Sequence, residues 1–156
     1  TVQSAATTRE YLNRPDSNRI SKIEDRGEII HRMGDVGYFD EEGRLWYCGR
    51  KSHRVTTKDG VLFTEQIENI FNAHPQVYRT ALVGVSGEPV LWVELEKRVR
   101  VNEDKIRREL IDMAKQHSQA STIKKFLFIK KLPTDVRHNS KIIREELANL
   151  AKKRLL

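Results

Sequence analysis

The chain has 156 residues, 38% of them hydrophobic, which leaves room for one ordinary domain or for a fragment joined to one small domain, so that a large enzyme with a deep pocket would not all be contained in it. Its single cysteine, Cys48, rules out an intrachain disulfide and reads as a buried strand thiol, and neither a CxxC motif nor a Cys/His spacing points to zinc. A net charge of +7, from 29 Lys and Arg against 22 Asp and Glu, raises the prospect of an anionic partner without naming the anion.

The longest apolar runs, such as 80–85, are strand-sized, so no transmembrane helix is expected. No apolar signal-peptide core follows the polar start, which makes the cytoplasm the default location. The opening TVQSAATTREYLNRP carries no start signal of its own, and the chain reads as a fragment of a longer protein.

Taken in order, residues 1–26 are polar, with Pro15 and the turn formers Asn13, Asp16 and Asn18, and are predicted to be an irregular surface segment. A short strand is expected over 28–32, then a turn at Gly34-Asp35. The runs 36–39 and 44–48 are aromatic and branched, and Asp40-Glu41-Glu42-Gly43 between them fits a type I turn closed by a glycine bulge, which makes a hairpin. The polar, basic stretch Lys51-Ser52-His53-Arg54 is where the domain boundary is placed.

A second hairpin is expected around Lys58-Asp59-Gly60, followed by a helix capped by Thr64 with Ile67, Ile70 and Phe71 on its apolar face. Strands are expected over 77–85 and 89–96. The first, nearly continuous in apolar residues, is read as central, and the second, alternating in part through Val90, Trp92, Val93 and Leu95, as covered on one face and partly wet on the other. An amphipathic helix over 102–117 presents Ile106, Leu110, Met113 and Ala114, a strand covers 125–129, and a last helix over 141–153 presents Ile143, Leu147, Leu150 and Ala151. The order β-hairpin, α, β, β, α, β, α from residue 55 onward implies a small α+β domain with helices packed on a central sheet.

Two places could carry chemistry. The basic cluster Arg137, His138, Asn139, Ser140 and Lys141 precedes the final helix, whose N-terminus disfavours cations, so either an external anion completes it or its side chains point to water. Asp35, in MGDVG, is either an acceptor for a vicinal diol such as ribose or a structural turn aspartate. Arg50 could read phosphate or sugar, or pair with Asp40, Glu41 or Glu42. His31 and His53 could flank a site, whereas His74 and His117 fall at helix ends, and no pair has metal-ligand spacing. Nucleic-acid binding is disfavoured because the aromatics form no evident stacking platform and Glu109, Glu145 and Glu146 interrupt the basic helix faces.

Together, MGDVGYFDEEGRLWYCGR (33–50), GVLFTEQIENIFNAHPQVYRTALVGV (60–85) and LPTDVRHNSKIIREEL (132–147) resemble the end of the large domain and the complete small domain of the adenylate-forming superfamily, which includes acyl-CoA synthetases, firefly luciferase and peptide synthetase adenylation domains. The resemblance implies that 1–50 is the tail of a large N-terminal domain, including a β-hairpin, and that 51–156 is a mobile C-terminal lid. It further implies that Asp35 binds the ribose hydroxyls of ATP, that Arg50 approaches the ribose, and that Lys51 and Ser52 form the hinge. Lys141 is implied to be the catalytic lysine that reaches the α-phosphate and the substrate carboxylate, and Glu68 matches an acidic residue of structural character. ATP with Mg2+ is the implied cofactor, bound mainly by the large domain, with no metal site in this chain and a carboxylic acid as substrate.

The chain departs from the family pattern at Ser52, where Asp or Lys is common, at Asp59, where glycine is usual, and at Ser140, where the terminal motif normally reads Gly-Lys. The DxRHNxK pattern resembles one branch, the bacterial β-lactone synthetases of olefin biosynthesis, which implies closure of a 2-alkyl-3-hydroxy fatty acid through its acyl-adenylate. Formation of a CoA thioester is the alternative, and a basic module binding RNA or protein is the non-enzymatic one.

Overall fold

The computed structural model describes residues 1–97, 102–135 and 141–155. It divides into two compact units, Thr1–Tyr47 and Cys48–Leu156.

The first unit is more ordered than its polar composition predicts. Residues 1–26 are not irregular throughout: they contain helix α1 (Pro15–Ser21) and strand β1 (Lys22–Asp25), which pairs antiparallel with β2 (Glu28–His31). Pro15 sits at the start of α1, where its missing N–H costs nothing. The Asn18 side chain both accepts from the Tyr11 backbone N–H (2.7 Å) and donates to the Tyr11 carbonyl (3.0 Å), tying the incoming chain to the helix. Arg26 and Gly27 turn the hairpin with positive φ at both residues, the primed geometry that matches strand twist. A seven-residue helix and four-residue strands are too short for periodicity to register, which is why the sequence shows little of them.

The second hairpin pairs β3 (Asp35–Phe39) with β4 (Leu45–Arg50), and the division between the units falls within β4. Its turn has the expected form: the Gly43 N–H donates to the Asp40 carbonyl (3.0 Å) and Gly43 takes φ +76°. Asp40 organises this turn, accepting from the backbone N–H groups of Glu42 and Arg44, from Arg44 Nε (2.6 Å) and from Trp46 Nε1 (2.7 Å). No residue of 1–47 is buried, so this unit has no core of its own.

The second unit holds a three-stranded sheet between helical layers. Hairpin β5 (Val55–Thr57)/β6 (Gly60–Leu62) leads into α2 (Thr64–Asn72), then β7 (Val77–Val85), β8 (Glu88–Leu95), α3 (Glu103–Gln116), β9 (Lys125–Ile129) and α4 (Arg144–Leu155). This is the expected α+β architecture, with the elements in the expected order. Strand β8 pairs antiparallel with β7 and parallel with β9, giving the order β7-β8-β9. The central strand is therefore β8, not β7, and β8 is buried on both faces from Pro89 to Glu94 rather than partly wet. Strand β7 reads as continuous because helices cover it on both sides, although it lies at the sheet edge.

Alternate residues of the sheet face opposite layers. Leu82, Leu91 and Val93 join Ile67 and Phe71 of α2 and Ile106, Leu110 and Ala114 of α3, while Val83, Val90 and Trp92 join Leu147 and Ala151 of α4. Met113 is partly buried against the first cluster, as core filling, whereas Leu150 is exposed. Helix α3 is capped by Asn102, whose side chain accepts from the N–H groups of Asp104 (3.0 Å) and Lys105 (3.2 Å).

Two helix starts differ from expectation. Thr64 is the first helical residue of α2 rather than its cap, and is buried where Gly49, at φ +120°, passes so close that a Cβ there would meet Thr64 Oγ1 at 2.5 Å. Helix α4 begins at Arg144, not Lys141, because Ile142 pairs with Thr134 in an isolated antiparallel bridge that holds the preceding residues extended. Among the described residues no helix is long and apolar enough to cross a membrane.

Candidate functional site

The described flanks of the β9–α4 loop, 132–135 and 141–143, are joined at a neck by backbone bonds. Asp135 N–H donates to the Lys141 carbonyl (2.9 Å) and Ile143 N–H to the Pro133 carbonyl (2.9 Å), on either side of the Thr134–Ile142 bridge. Lys141 therefore stands at the neck of this loop, three residues before α4, and is exposed. Its side chain is not at the helix N-terminus, so the expected conflict between its charge and the helix dipole does not arise. Arg137, His138, Asn139 and Ser140 lie outside the described residues.

Both feet of the loop rest on buried carboxylates. At Leu132 the backbone N–H donates to Glu94 Oε2 (2.9 Å), which also accepts from Arg79 Nε (2.8 Å). At Arg144 the guanidinium grips Glu68 through both terminal nitrogens, at 2.5 and 3.0 Å, and donates to the Leu82 carbonyl (3.1 Å). Glu68 additionally accepts from the Leu82 N–H (2.7 Å), so one carboxylate joins α2, β7 and the start of α4. Burial pushes the Glu68 carboxyl up from the usual range, against the opposing pull of Arg144 and the Leu82 N–H.

Arg50, His53, Glu65, Glu68, Lys141, Ile142 and Arg144 line a cleft of about 490 Å3 within the second unit. The structure thus brings Arg50 and Lys141, separated by some ninety positions of chain, to one surface depression. His53 borders it too, and burial, with Arg144 next and Arg50 and Lys141 further, lowers its imidazole below the usual histidine value, Glu145 opposing. Arg50 ends β4, and Lys51 and Ser52 follow in an exposed single turn of 3-10 helix, Lys51–His53. Asp35 opens β3 directly after Gly34 at φ +76°, exposed, in the first unit. Of the acids considered as partners for Arg50, Asp40 and Glu42 are bonded to Arg44.

Of the remaining described histidines, His31 and His74 have structural side-chain bonds. His31 Nε2 lies 3.3 Å from Tyr11 Oη and its Nδ1 3.2 Å from the Ser21 carbonyl, buried His74 pairs with Glu109 at 3.1 Å, and His117 ends α3. Cys48 is buried in β4, and burial raises its thiol pKa, which suits an inert strand residue rather than a nucleophile. Among the described residues no three His, Cys, Asp or Glu side chains cluster to hold a metal ion.

Arg144 is the residue that sequence reasoning missed, since Arg144-Glu145-Glu146 registers only as mixed charge. One signal was present: an arginine in the first turn of a helix opposes the dipole and calls for a carboxylate, although nothing local identifies Glu68, 76 positions earlier.

No profile of a known protein family matches the chain. It is 49% identical over 158 residues to the olefin β-lactone synthetase of Xanthomonas campestris pv. campestris, covering 95% of this chain and 28% of that protein. It is 43% identical over 157 residues to the protein of the same name from Stenotrophomonas maltophilia, again covering 95% and 28%. The 4-chlorobenzoate–CoA ligase of an Arthrobacter species is 30% identical over 131 residues, 82% of this chain and 24% of the ligase. Among solved structures, the anthranilate CoA ligase AuaEII in complex with anthranoyl-AMP shares the fold at a TM-score of 0.82, with 20% identity over 98% of this chain and 30% of that one. The O-succinylbenzoate coenzyme A synthetase of Bacillus subtilis in complex with AMP superposes at a TM-score of 0.70, with 26% identity over 88% of this chain and 27% of that one. The chain spans about 28% of the length of the two synthetases.

Proposed function

From its membership of the adenylate-forming superfamily, whose C-terminal region this chain represents, we propose that the protein carrying it activates a carboxylic acid with ATP, forming an acyl-adenylate and releasing pyrophosphate. The observation that carries this reading is the placement of Lys141 at the neck of a doubly anchored loop, on the same cleft as Arg50. A cation fixed there stabilises the charge that develops on the α-phosphate and carboxylate oxygens as pyrophosphate departs.

In this reading Asp35 accepts the ribose hydroxyls and Arg50 approaches the sugar. Lys51 and Ser52 act as the hinge between the tail of the large domain, 1–50, and the mobile lid, 51–156. The donor set suits a nucleotide, with a carboxylate for the diol and cations for phosphate, whereas Mg2+ is held with the ATP triphosphate by residues beyond this chain. Lys141 acts only when the lid closes, so this chain alone is inactive.

For the second step, the identities of 49% and 43% to two olefin β-lactone synthetases favour a 2-alkyl-3-hydroxy fatty acid as substrate. Its 3-hydroxyl oxygen attacks its own acyl carbon, the carboxyl–phosphate bond breaks, AMP leaves, and the hydroxyl proton passes to solvent, giving the β-lactone. An intramolecular nucleophile gains from proximity and needs no thiol. The 30% identity to a CoA ligase supports thioester formation as the second reading.

The test uses the full-length protein. Pyrophosphate release that depends on both ATP and a 3-hydroxy acid should fall at least about a hundredfold in Lys141→Ala, the loss expected when one charge-stabilising group is removed. An unchanged rate would sink the adenylation assignment. Mass analysis of the product separates the two second steps: β-lactone without added thiol supports closure, and turnover only with CoA supports the ligase.

A further inference from the structure

We propose that Glu68 and Arg144 are positioning residues for Lys141: the buried ion pair fixes the C-terminal foot of the lysine loop and thereby sets where the ammonium group lies. The inference rests on the adenylation reading above and goes beyond it by assigning a role to two residues that need not touch the substrate.

The geometry leads from the pair to the lysine through two intervening residues. Arg144 is held on three sides, by the two Glu68 oxygens and the Leu82 carbonyl, and Ile143 N–H, one residue back, is tied to Pro133. Ile142 bridges to Thr134 and the Lys141 carbonyl accepts from Asp135, so each residue from 141 to 144 has a fixed backbone or side-chain anchor. The opposite foot, Leu132, is fixed by Glu94 with Arg79.

Stability alone is a poor reason for this pair. Buried ion pairs are often replaceable by packed apolar side chains without loss, and here Arg144 Nε is buried with no hydrogen-bond partner among the described residues. Arg144 also stands in the first turn of α4, where the dipole disfavours it. What the forked contact does supply is a single orientation, because a planar guanidinium meets a carboxylate bidentately in only one arrangement. A lysine displaced by about 1 Å from the charge it stabilises can lose on the order of a hundredfold in rate.

The test is acid-dependent ATP–pyrophosphate exchange by the full-length protein, in wild type, Glu68→Gln, Lys141→Ala and the double variant. Glu68→Gln keeps an acceptor oxygen for the Leu82 N–H and removes the charge that grips Arg144. The expected result is a fall in kcat of about tenfold or more with KM for ATP within about twofold, and little further loss when Glu68→Gln is added to Lys141→Ala. If Glu68→Gln does not fold, as judged by loss of a cooperative thermal transition, Arg144→Lys carries the same expectation, since it retains the charge and loses the fork.

Exchange within about twofold of wild type in the folded variant, with Lys141→Ala down about a hundredfold, would overturn the positioning role and leave the adenylation reading standing. Full multiplication of the two losses in the double variant would overturn it as well, by showing that the pair acts independently of Lys141. Undiminished exchange in Lys141→Ala would overturn the adenylation reading, and this inference with it.

Discussion

His53 illustrates how single residues report on the cleft. It faces Arg50 from β4, Glu65 and Glu68 from α2, Lys141 from the loop, and Arg144 and Glu145 from α4. Burial and the neighbouring cations hold its folded-state pKa below the usual 6.5. The unfolded chain therefore takes up the proton first as pH falls. The His53 contribution to stability is complete above about pH 6.5 and is lost as pH drops from there through the lowered folded value. Histidine NMR should show His53 titrating below 6.5, and denaturation midpoints of His53→Asn should fall less steeply than those of wild type over that interval. A His53 midpoint at or above 6.5 would contradict this account. Among the same cations, Glu68 pairs with Arg144, the one of them that is most buried.

Among the elements, α4 matters most for the site, because the lysine loop ends on it. It is docked not only by Leu147 and Ala151 but by a hydrogen bond from Trp92 Nε1, in the central strand, to the Leu147 carbonyl (3.0 Å). Trp92→Phe removes that bond and part of a fully buried ring. It should lower the stability of 48–156 by about 1–3 kcal/mol, read as a shift in the urea midpoint at constant m-value. No shift would mean that α4 is held by its apolar face alone. The elements also show where periodicity misleads. Apolar continuity marked β7 as central because it measures burial, and β7 is buried by helices on both faces while lying at the edge. Partial alternation made β8 look half wet, yet it is covered on both faces and the charge of its Glu94 is taken up inside by Arg79 and the Leu132 N–H.

At the scale of the molecule, the two units differ in what holds them. The unit from Cys48 onward has two apolar clusters on a three-stranded sheet, whereas 1–47 buries none of its residues and leaves Phe39 70% and Leu45 66% exposed. Two short hairpins without a core are marginal in water. A polypeptide of residues 48–156 should therefore unfold cooperatively on its own, and one of 1–47 should show random-coil circular dichroism. A cooperative transition in the shorter piece would refute this reading of its stability. The exposed aromatic residues of the β3–β4 hairpin fit the proposal that this segment is the tail of a larger domain.

What the sequence by itself determined was local. From residue 55 onward it specified the type and order of the strands and α-helices among the described residues, because period-2 and period-3.6 patterns are written in neighbouring residues. It also located the turns at Gly43 and Gly60, though not the one at Arg26-Gly27, and carried the motifs that single out Asp35, Arg50 and Lys141. Only the tertiary structure decided the ladder order of the sheet, the start of α4 at Arg144, and the meeting of Arg50, His53 and Lys141 on one cleft. The Glu68–Arg144 pair belongs with these, joining residues 76 positions apart. Periodicity states which face of an element is covered and is silent on what covers it. The partners are chosen by contacts between distant segments, and the position of Lys141 depends on such contacts.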